Sequence, residues 1–279
     1  MRRPSIGTQL RMCSISIART DAISRRDLVR LASSPMQVTV RVTGGAGNMA
    51  TEEGEESAIF LASALGGAAC EASVLAGATT IVKRPVPGIC DECDNARMYC
   101  RRHAGNIVPH PGVMDVLSRL AELQAPGKTI GITPTISPPV YWGASIIIED
   151  NPDDDFYTIV SDRTPVCVLV QFSSDRPGLT WDDEWQVCLD YMQLLRDEGS
   201  HRSLHLVYNG GQTTRNEVLH VAELTSVDNP WQVLLIEDSG REATALTNDL
   251  AWRKAHPQVT SCKKNELGSV LHEMGFTPR

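Results

Sequence analysis

The sequence has no feature of a membrane protein, a nucleic-acid-binding protein or a secreted protein. No apolar run approaches the roughly 18–20 residues that cross a bilayer, so a membrane span is excluded. Residues 1–34 hold seven Arg and two Asp, a net charge of +5, and residues 35–279 carry −13. Because phosphate neutralisation needs a basic face, this acidic charge excludes nucleic acid as a partner. The lack of an apolar secretory signal favours a reducing compartment, and we expect a cytoplasmic protein.

Catalytic signatures are also scarce. The chain has no Gly-x-Ser-x-Gly elbow, no Walker loop and no internal repeat. What is present is an ordinary globular composition over 279 residues, of which 42% are hydrophobic and 22% charged. That length accommodates one large domain or two small ones.

The first 34 residues differ from the rest in composition. They are rich in Arg and Ser, poor in acids, and similar in composition to an organelle transit peptide. We expect this segment to lie outside the fold, either as a disordered extension or as a signal for a mitochondrion or plastid. The folded domain is then predicted to span residues 35–279, with a cysteine-rich insertion at residues 88–104.

From residue 35 onward, short β-branched runs alternate with segments of helical period. The predicted strands are residues 38–43, 79–82, 128–133, 156–160, 166–170, 204–208 and 233–236, and helices are predicted at residues 57–65, 112–123 and 185–195. A strand that is apolar on both faces, such as 166–170, belongs in a parallel sheet covered by helices. We therefore predict an α/β fold with a Rossmann-like, doubly wound parallel sheet whose ligand lies at the carboxyl ends of the strands.

The loop after the predicted strand 204–208 has the composition of a phosphate site. It turns on Gly210 and Gly211 and enters a helix that Thr213 or Thr214 is expected to cap. The helix amino terminus offers unpaired N–H groups and partial positive charge to phosphate. The alternative, an ordinary turn between a strand and a helix, stays open.

A similar loop follows the strand at 233–236. It turns at Ser239 and Gly240 and places Arg241 in the first turn of the next helix. An arginine in this position can form paired hydrogen bonds to phosphate or carboxylate. We predict that the two neighbouring loops bind one phosphate-containing ligand.

The order of these motifs resembles the SLOG superfamily. Over residues 203–252 an apolar strand, Asn-Gly-Gly-x-Thr-Thr-Arg-x-Glu-Val-Leu, a second apolar strand and Asp-Ser-Gly-Arg-x-Ala follow one another, as in its lysine-decarboxylase-like (LSDAT) branch. That branch includes the amino-terminal homology region of melastatin-type TRP channels. Upstream, Gly44, Gly45 and Gly47 are similar to the family's first glycine loop.

The resemblance implies a Rossmann-like domain that binds a small-molecule nucleotide or nucleotide derivative, such as ADP-ribose or NAD, commonly as a sensor. The nucleotide-contacting residues that it implies are Gly44, Gly45, Gly47, Gly210, Gly211, Thr213, Thr214, Ser239, Gly240 and Arg241. Related phosphoribohydrolases cleave the N-glycosidic bond of nucleoside monophosphates with a Gly-Gly-x-Gly-Thr-x-x-Glu motif. Here Thr213 replaces the third Gly, and Asn209 stands where those hydrolases usually have Pro. Both departures favour the sensor branch.

If the chain is a hydrolase, Glu217 is the predicted catalytic carboxylate, and Arg241 or Arg215 holds the phosphate. Cleavage with oxocarbenium character needs a negative group near the ribose and a positioned water. The alternative for Glu217 is an acid that complements the helix dipole, and for Arg215 a solvated surface role. The acids at 182–184 are also expected to complement a helix dipole.

The cysteine-rich insertion holds a second candidate site. Cys90 and Cys93 form a C-x2-C pair, and Cys100 and His103 form a C-x2-H pair six residues later. Three thiolates and one imidazole fill the tetrahedral coordination of Zn²⁺, so we predict a structural zinc site with no open position for water. A disulfide, unliganded cysteines, and His110 in place of His103 stay open as alternatives.

These observations favour a nucleotide-binding sensor module. One alternative is an enzyme that hydrolyses the N-glycosidic bond of a nucleoside monophosphate. The other is a non-catalytic assembly subunit that kept the fold but lost its ligand. A homodimer or a larger assembly stays open.

Overall fold

The computed structural model describes residues 16–19, 26, 29–30, 33–45, 49–77, 79–83, 109–110, 112–123, 125–134, 145–150, 156–161, 168–172, 181–224 and 231–277. The predicted cysteine-rich insertion and Gly47 lie outside the described residues.

Strands in the described ranges form two sheets. They are β1 (Ser16–Arg19), β2 (Val38–Gly44), β3 (Ser73–Gly77), β4 (Thr79–Lys83), β5 (Pro109–His110), β6 (Lys128–Pro134), β7 (Ser145–Asp150), β8 (Phe156–Ser161), β9 (Val168–Phe172), β10 (Arg202–Tyr208), β11 (Gln232–Ile236) and β12 (Val259–Cys262). Eight of them form a parallel sheet in the order β1-β9-β6-β3-β2-β10-β11-β12. The other four form an antiparallel sheet in the order β5-β4-β8-β7.

Helices connect the strands of the parallel sheet. They are α1 (Thr51–Ala64), α2 (Val116–Glu122), α3 (Trp181–Gly199), α4 (Gln212–Glu223), α5 (Arg241–Asn248), α6 (Leu250–Ala255) and α7 (Leu267–Glu273). Where the structure describes the chain, no helix combines the length and the apolar character that a membrane span requires.

The strand order confirms the predicted doubly wound α/β fold. From β2 the chain adds β3, β6 and β9 on one side, and it then returns with β10, β11 and β12 on the other. Winding therefore reverses between β2 and β10, which pair in parallel with Gly44 opposite Tyr208. In open parallel sheets such a reversal leaves a crevice at the carboxyl ends of the strands.

Helices cover both faces of the sheet, and β2 illustrates the division. Val38, Val40 and Val42 belong to the apolar core that α1, α2 and α7 complete. The alternate side chains Arg41 and Thr43 contact α3 and α4 on the opposite face. Successive side chains of a strand point to opposite faces, so this alternation follows directly from the pleat.

The strands β1, β3 and β4 differ from the sequence prediction. On one side of β2 lies β3, with the sequence Ser-Val-Leu-Ala-Gly, which was not predicted, whereas the predicted strand at 79–82 lies in the antiparallel sheet as β4. The β-branched residues of β4 gave the stronger pattern, because strand propensity reflects the side chain and not the sheet it joins. In addition, β1 lies within residues 1–34, which were expected outside the fold, and pairs with β9.

Gly44 is the point of closest approach between β2 and its neighbours. A Cβ on Gly44 would overlap the carbonyl oxygen of Tyr208 and lie 2.9 Å from Val113 Cγ2. We expect Gly44→Ala to lower the free energy of unfolding by about 3 kcal/mol, the upper end of the range for overpacked sites. Urea unfolding measures this change.

Gly268→Ala is the matched control, because a Cβ at this position in α7 meets nothing within 4 Å. Alanine should be neutral there or should stabilise the helix by about 0.5–1 kcal/mol. Equal effects of the two substitutions would contradict the packing described at Gly44.

Candidate functional site

Three loops meet at the carboxyl ends of the strands where winding reverses. We call them the switch-point loops: residues 44–45 at the end of β2, 209–211 after β10 and 237–241 after β11. A Cβ built on Gly45 would lie 3.3 Å from Arg241 Nη1, and one on Gly211 would lie 3.1 Å from Arg241 Nη2. The guanidinium of Arg241 therefore lies against two glycines from different loops, where larger residues would crowd it.

Two cationic side chains lie near these loops, which also carry the acidic residues Glu237 and Asp238. Arg241 is exposed, and no described carboxylate forms an ion pair with it. Lys264, which follows β12, places its Nζ 5.2 Å from the ring centroid of Tyr208 at the end of β10. An unpaired arginine and a nearby lysine attract an anion.

Two helices begin at the switch-point loops without a side-chain cap. The residue before α4 is Gly211, and the residue before α5 is Gly240, which has φ 95°. Helix amino termini leave N–H groups unpaired, and glycine has no side chain to bind them. These donors therefore add to the attraction for an anion.

The predicted capping role of Thr213 or Thr214 is wrong, because Gly211 occupies the cap position and both threonines lie within α4. Thr214 is buried, and its side chain packs against Gly210: a Cβ on Gly210 would lie 2.6 Å from Thr214 Cγ2. Thr214 thus supports the glycine turn.

Ser239 connects two of the loops. Its hydroxyl donates to the carbonyl oxygen of Ile236 (2.8 Å) and accepts from the N–H of Asn209 (2.8 Å). The carbonyl oxygen of Asn209 accepts from the N–H of Ala243 at 3.0 Å. These bonds hold the loops after β10 and β11 in a fixed relation.

Arg215 has a partner, in contrast to the solvated role considered for it. Its Nη1 lies 3.0 Å from Glu242 Oε2 in a half-buried ion pair that links α4 to α5. Of the two arginines considered for phosphate, only Arg241 is without a carboxylate partner among the described residues.

A buried ionic cluster lies on the α3 and α4 face of β2. Arg41 donates through Nε to Glu217 Oε1 (2.9 Å), and its Nη1 lies 3.2 Å from Glu184 Oε1. Thr43 donates to Glu217 Oε2 (2.7 Å), and His205 Nε2 lies 3.2 Å from Glu217 Oε1. The cluster joins two adjacent strands to two helices.

The pKa values of the two carboxyl groups in this cluster are shifted in opposite directions. Burial alone would raise the pKa of Glu217, but the charges of Arg41 and His205 and their hydrogen bonds outweigh it and hold the pKa well below its usual range. Burial raises the pKa of Glu184, which the charge of Arg41 opposes only in part. Burial also raises the pKa of the Cys188 thiol, which donates to Glu184 Oε1. Glu217 is therefore a fixed anion, and Glu184 is the group that more readily holds a proton.

Sequence reasoning did not find this cluster. Glu217 was considered as a catalytic group or as a helix-dipole acid, whereas it is 1% exposed and both of its oxygens are bound. Glu184 was expected to complement a helix dipole, and it contacts Arg41 instead. The one available signal was Arg41 itself, a single charge in a β-branched run, since a buried charge requires a partner. A catalytic role for Glu217 stays a prediction.

The zinc site also stays a prediction, because Cys90, Cys93, Cys100 and His103 lie outside the described residues. Across the described ranges, no group of three or more His, Cys, Asp or Glu side chains is placed to hold a metal ion.

No family model matches the chain, and no curated protein matches it in sequence. The fold and the loops define the class, a doubly wound α/β protein with an arginine at its switch point. Nucleotide binding and the kinship with the SLOG superfamily remain predictions from the resemblance.

Breaking the pair between Arg41 and Glu217 should strongly destabilise the fold. Glu217→Gln keeps the side-chain size but leaves the buried guanidinium without its main counterion. We expect a loss of about 3–5 kcal/mol in the free energy of unfolding, measured with urea. Glu122→Gln, which breaks an exposed pair with Arg119, should cost only about 0–1 kcal/mol. A loss at Glu217 no larger than at Glu122 would contradict the role of the cluster.

Glu184 should make stability depend on pH. Its folded-state pKa is raised above the ordinary 4.5, so protonated Glu184 stabilises the fold, and this contribution is lost as the pH rises through the folded-state pKa. Glu184→Gln imitates the neutral form and should flatten that decline. Urea unfolding between about pH 4 and pH 9 measures the effect. An unchanged pH profile in the variant would assign the dependence to another group.

Proposed function

We propose that this chain is a nucleotide-binding module of the sensor type. Its switch-point loops recognise the phosphate of a nucleotide or a nucleotide derivative such as ADP-ribose or NAD. The observation that carries the proposal is the Arg241 guanidinium, which has no described carboxylate partner and lies against Gly45 and Gly211.

The construction of the loops supports an anionic ligand. Both α4 and α5 begin at glycines without a side-chain cap, so N–H groups of their first turns are available to phosphate oxygens, apart from that of Ala243, which donates to Asn209. The guanidinium beside them can form two parallel hydrogen bonds to a phosphate. Glycine at positions 45 and 211 leaves room for the Arg241 guanidinium to lie beside both loops.

The position of the loops in the sheet supports the same proposal. The switch point of a doubly wound sheet is the usual ligand site of such folds, and Arg241 lies there. The loop after β11 also carries Glu237 and Asp238, but both accept hydrogen bonds within the protein, whereas the Arg241 guanidinium has no described carboxylate partner. An anion is therefore the ligand that this edge attracts.

The described carboxylates around the loops are each engaged in a hydrogen bond or an ion pair, which favours binding without hydrolysis. Glu217 is bound by Arg41 and Thr43, and Glu242 pairs with Arg215. Glu237 accepts from Ser261, and Asp238 accepts from the N–H of Lys264. A carboxylate engaged in this way is poorly suited to activating water.

The proposal is tested by binding AMP, NAD and ADP-ribose to the purified full chain. We expect at least one of them to raise the melting temperature, and Arg241→Gln to weaken its binding about 10- to 150-fold, the range for a charge-assisted hydrogen bond. Calorimetric titration gives the affinities, and chromatography of the mixture shows whether base is released.

Arg215→Gln is the matched control, because it removes a nearby arginine that is already paired with Glu242. Its affinity should stay within a few-fold of the unaltered chain. The proposal fails if none of the three compounds binds, or if the two arginine variants bind equally well. Release of free base from the nucleotide would contradict the sensor proposal and support the hydrolase alternative.

A further inference from the structure

Asn209, the first residue after β10, lies between the loops that follow β10 and β11. Its backbone is in the left-handed region, with φ 59°. Its N–H donates to Ser239 Oγ at 2.8 Å, and its carbonyl oxygen accepts from the N–H of Ala243 at 3.0 Å. The residue is therefore held in place on both sides by the second loop.

The carboxamide of Asn209 has no hydrogen-bond partner among the described residues. The residue is 5% exposed, and Oδ1 is buried without a donor. Nδ2 lies 3.6 Å from the position of a Cβ on Gly240, so the amide adjoins the second glycine loop. The hydroxyls of Ser239 and Thr244 in the same region are bonded. A buried acceptor without a donor costs about 1–3 kcal/mol.

The left-handed backbone suits asparagine, but it does not account for a buried carboxamide oxygen without a partner. Glycine adopts a left-handed conformation with less strain, and Gly210 and Gly240 do so in the adjoining positions, with φ 96° and 95°. Asparagine in turns commonly binds neighbouring backbone groups through its side chain. Asn209 forms no such bond in the described structure. Its carboxamide is available for a group that the described chain does not supply.

The orphaned atom restricts the chemistry of that group. Oδ1 accepts and cannot donate, whereas the oxygens of an ionised phosphate offer only acceptors. A cationic donor is disfavoured by the guanidinium of Arg241 at the same loops. A neutral hydroxyl can donate to Oδ1 and accept from Nδ2.

We propose that Asn209 is a specificity-determining residue whose carboxamide hydrogen-bonds a sugar hydroxyl of the ligand. The loops then select phosphorylated sugars, nucleotides among them, over inorganic phosphate and pyrophosphate. The inference rests on the proposed function, because Arg241 and the helix amino termini supply the phosphate contact.

Calorimetric titration of the full chain with AMP, 2′,3′-dideoxy-AMP and pyrophosphate tests the assignment. The unaltered chain should bind AMP about tenfold more tightly than the dideoxy compound, the effect of one neutral hydrogen bond. Asn209→Gly removes the carboxamide and relieves the left-handed backbone. In this variant the affinity for AMP should fall to that for dideoxy-AMP. The affinity for pyrophosphate should equal that of the unaltered chain.

Asn209→Asp is the second variant, since aspartate has the same shape and tolerates a left-handed backbone. It keeps an acceptor but adds a negative charge, so all three ligands should bind more weakly and pyrophosphate should lose most. Thermal unfolding shows whether each variant is folded, and Asn209→Gly should melt at or above the temperature of the unaltered chain.

Two results would overturn the assignment while nucleotide binding stands. One is an equal loss of AMP and pyrophosphate affinity in Asn209→Gly, which would make the residue part of the loop scaffold. The other is undiminished discrimination against the dideoxy compound in that variant. If the unaltered chain binds none of AMP, NAD and ADP-ribose, the proposed function fails and this assignment fails with it.

Discussion

The buried ion pair between Arg41 and Glu217 is the contact on which the geometry of the switch-point loops depends. It joins the central strand β2 to helix α4, whose first residues follow the glycine turn. An unpaired charge in the interior is strongly unfavourable, so α4 can neither slide nor rotate far without losing the contact. Glu217 lies six residues after Gly211, about 9 Å along the helix axis. Fixing the carboxylate over β2 therefore also fixes the amino terminus that faces Gly45 and Arg241.

Strand β2 makes apolar contacts on one face of the sheet and hydrogen bonds and ion pairs on the other. Its apolar side chains pack under α1 and α2, where contacts are non-directional and tolerate small shifts. On the other face Thr39 bonds His201, while Arg41 and Thr43 bond Glu217. Hydrogen-bonded groups accept only a narrow range of geometry, and buried networks of this kind specify one arrangement more than they add stability. Helix α4, which begins at the candidate site, lies on this hydrogen-bonded face, where the positions of the packed elements are specified most strictly.

The parts of the fold that depend on local sequence patterns could be predicted. Residues 204–208 and 233–236 are continuous apolar runs before glycine turns, so their strands and the edge where their loops meet could be predicted. The ionic cluster could not, because Arg41 and Glu217 are separated by 176 residues and neither position shows its partner. Strand β3 was missed because only one of its five residues, Val74, is β-branched. The threonine caps were misplaced because two adjoining glycines made the helix start ambiguous by a residue or two.

Arg41 and Arg241 have different roles. Arg41 is buried in the ionic cluster, and Arg241 lies exposed at the switch-point loops. The charge of Arg41 is buried and paired with Glu217 within the cluster. Arg241 is exposed and has no described counterion, so its charge acts on whatever approaches the loops. Exposed single charges contribute little to stability, whereas a buried pair contributes much when one partner is removed. The contact that positions α4 and the charge that attracts an anion are thus carried by different residues, and the chemistry of the loops can change without loss of the fold.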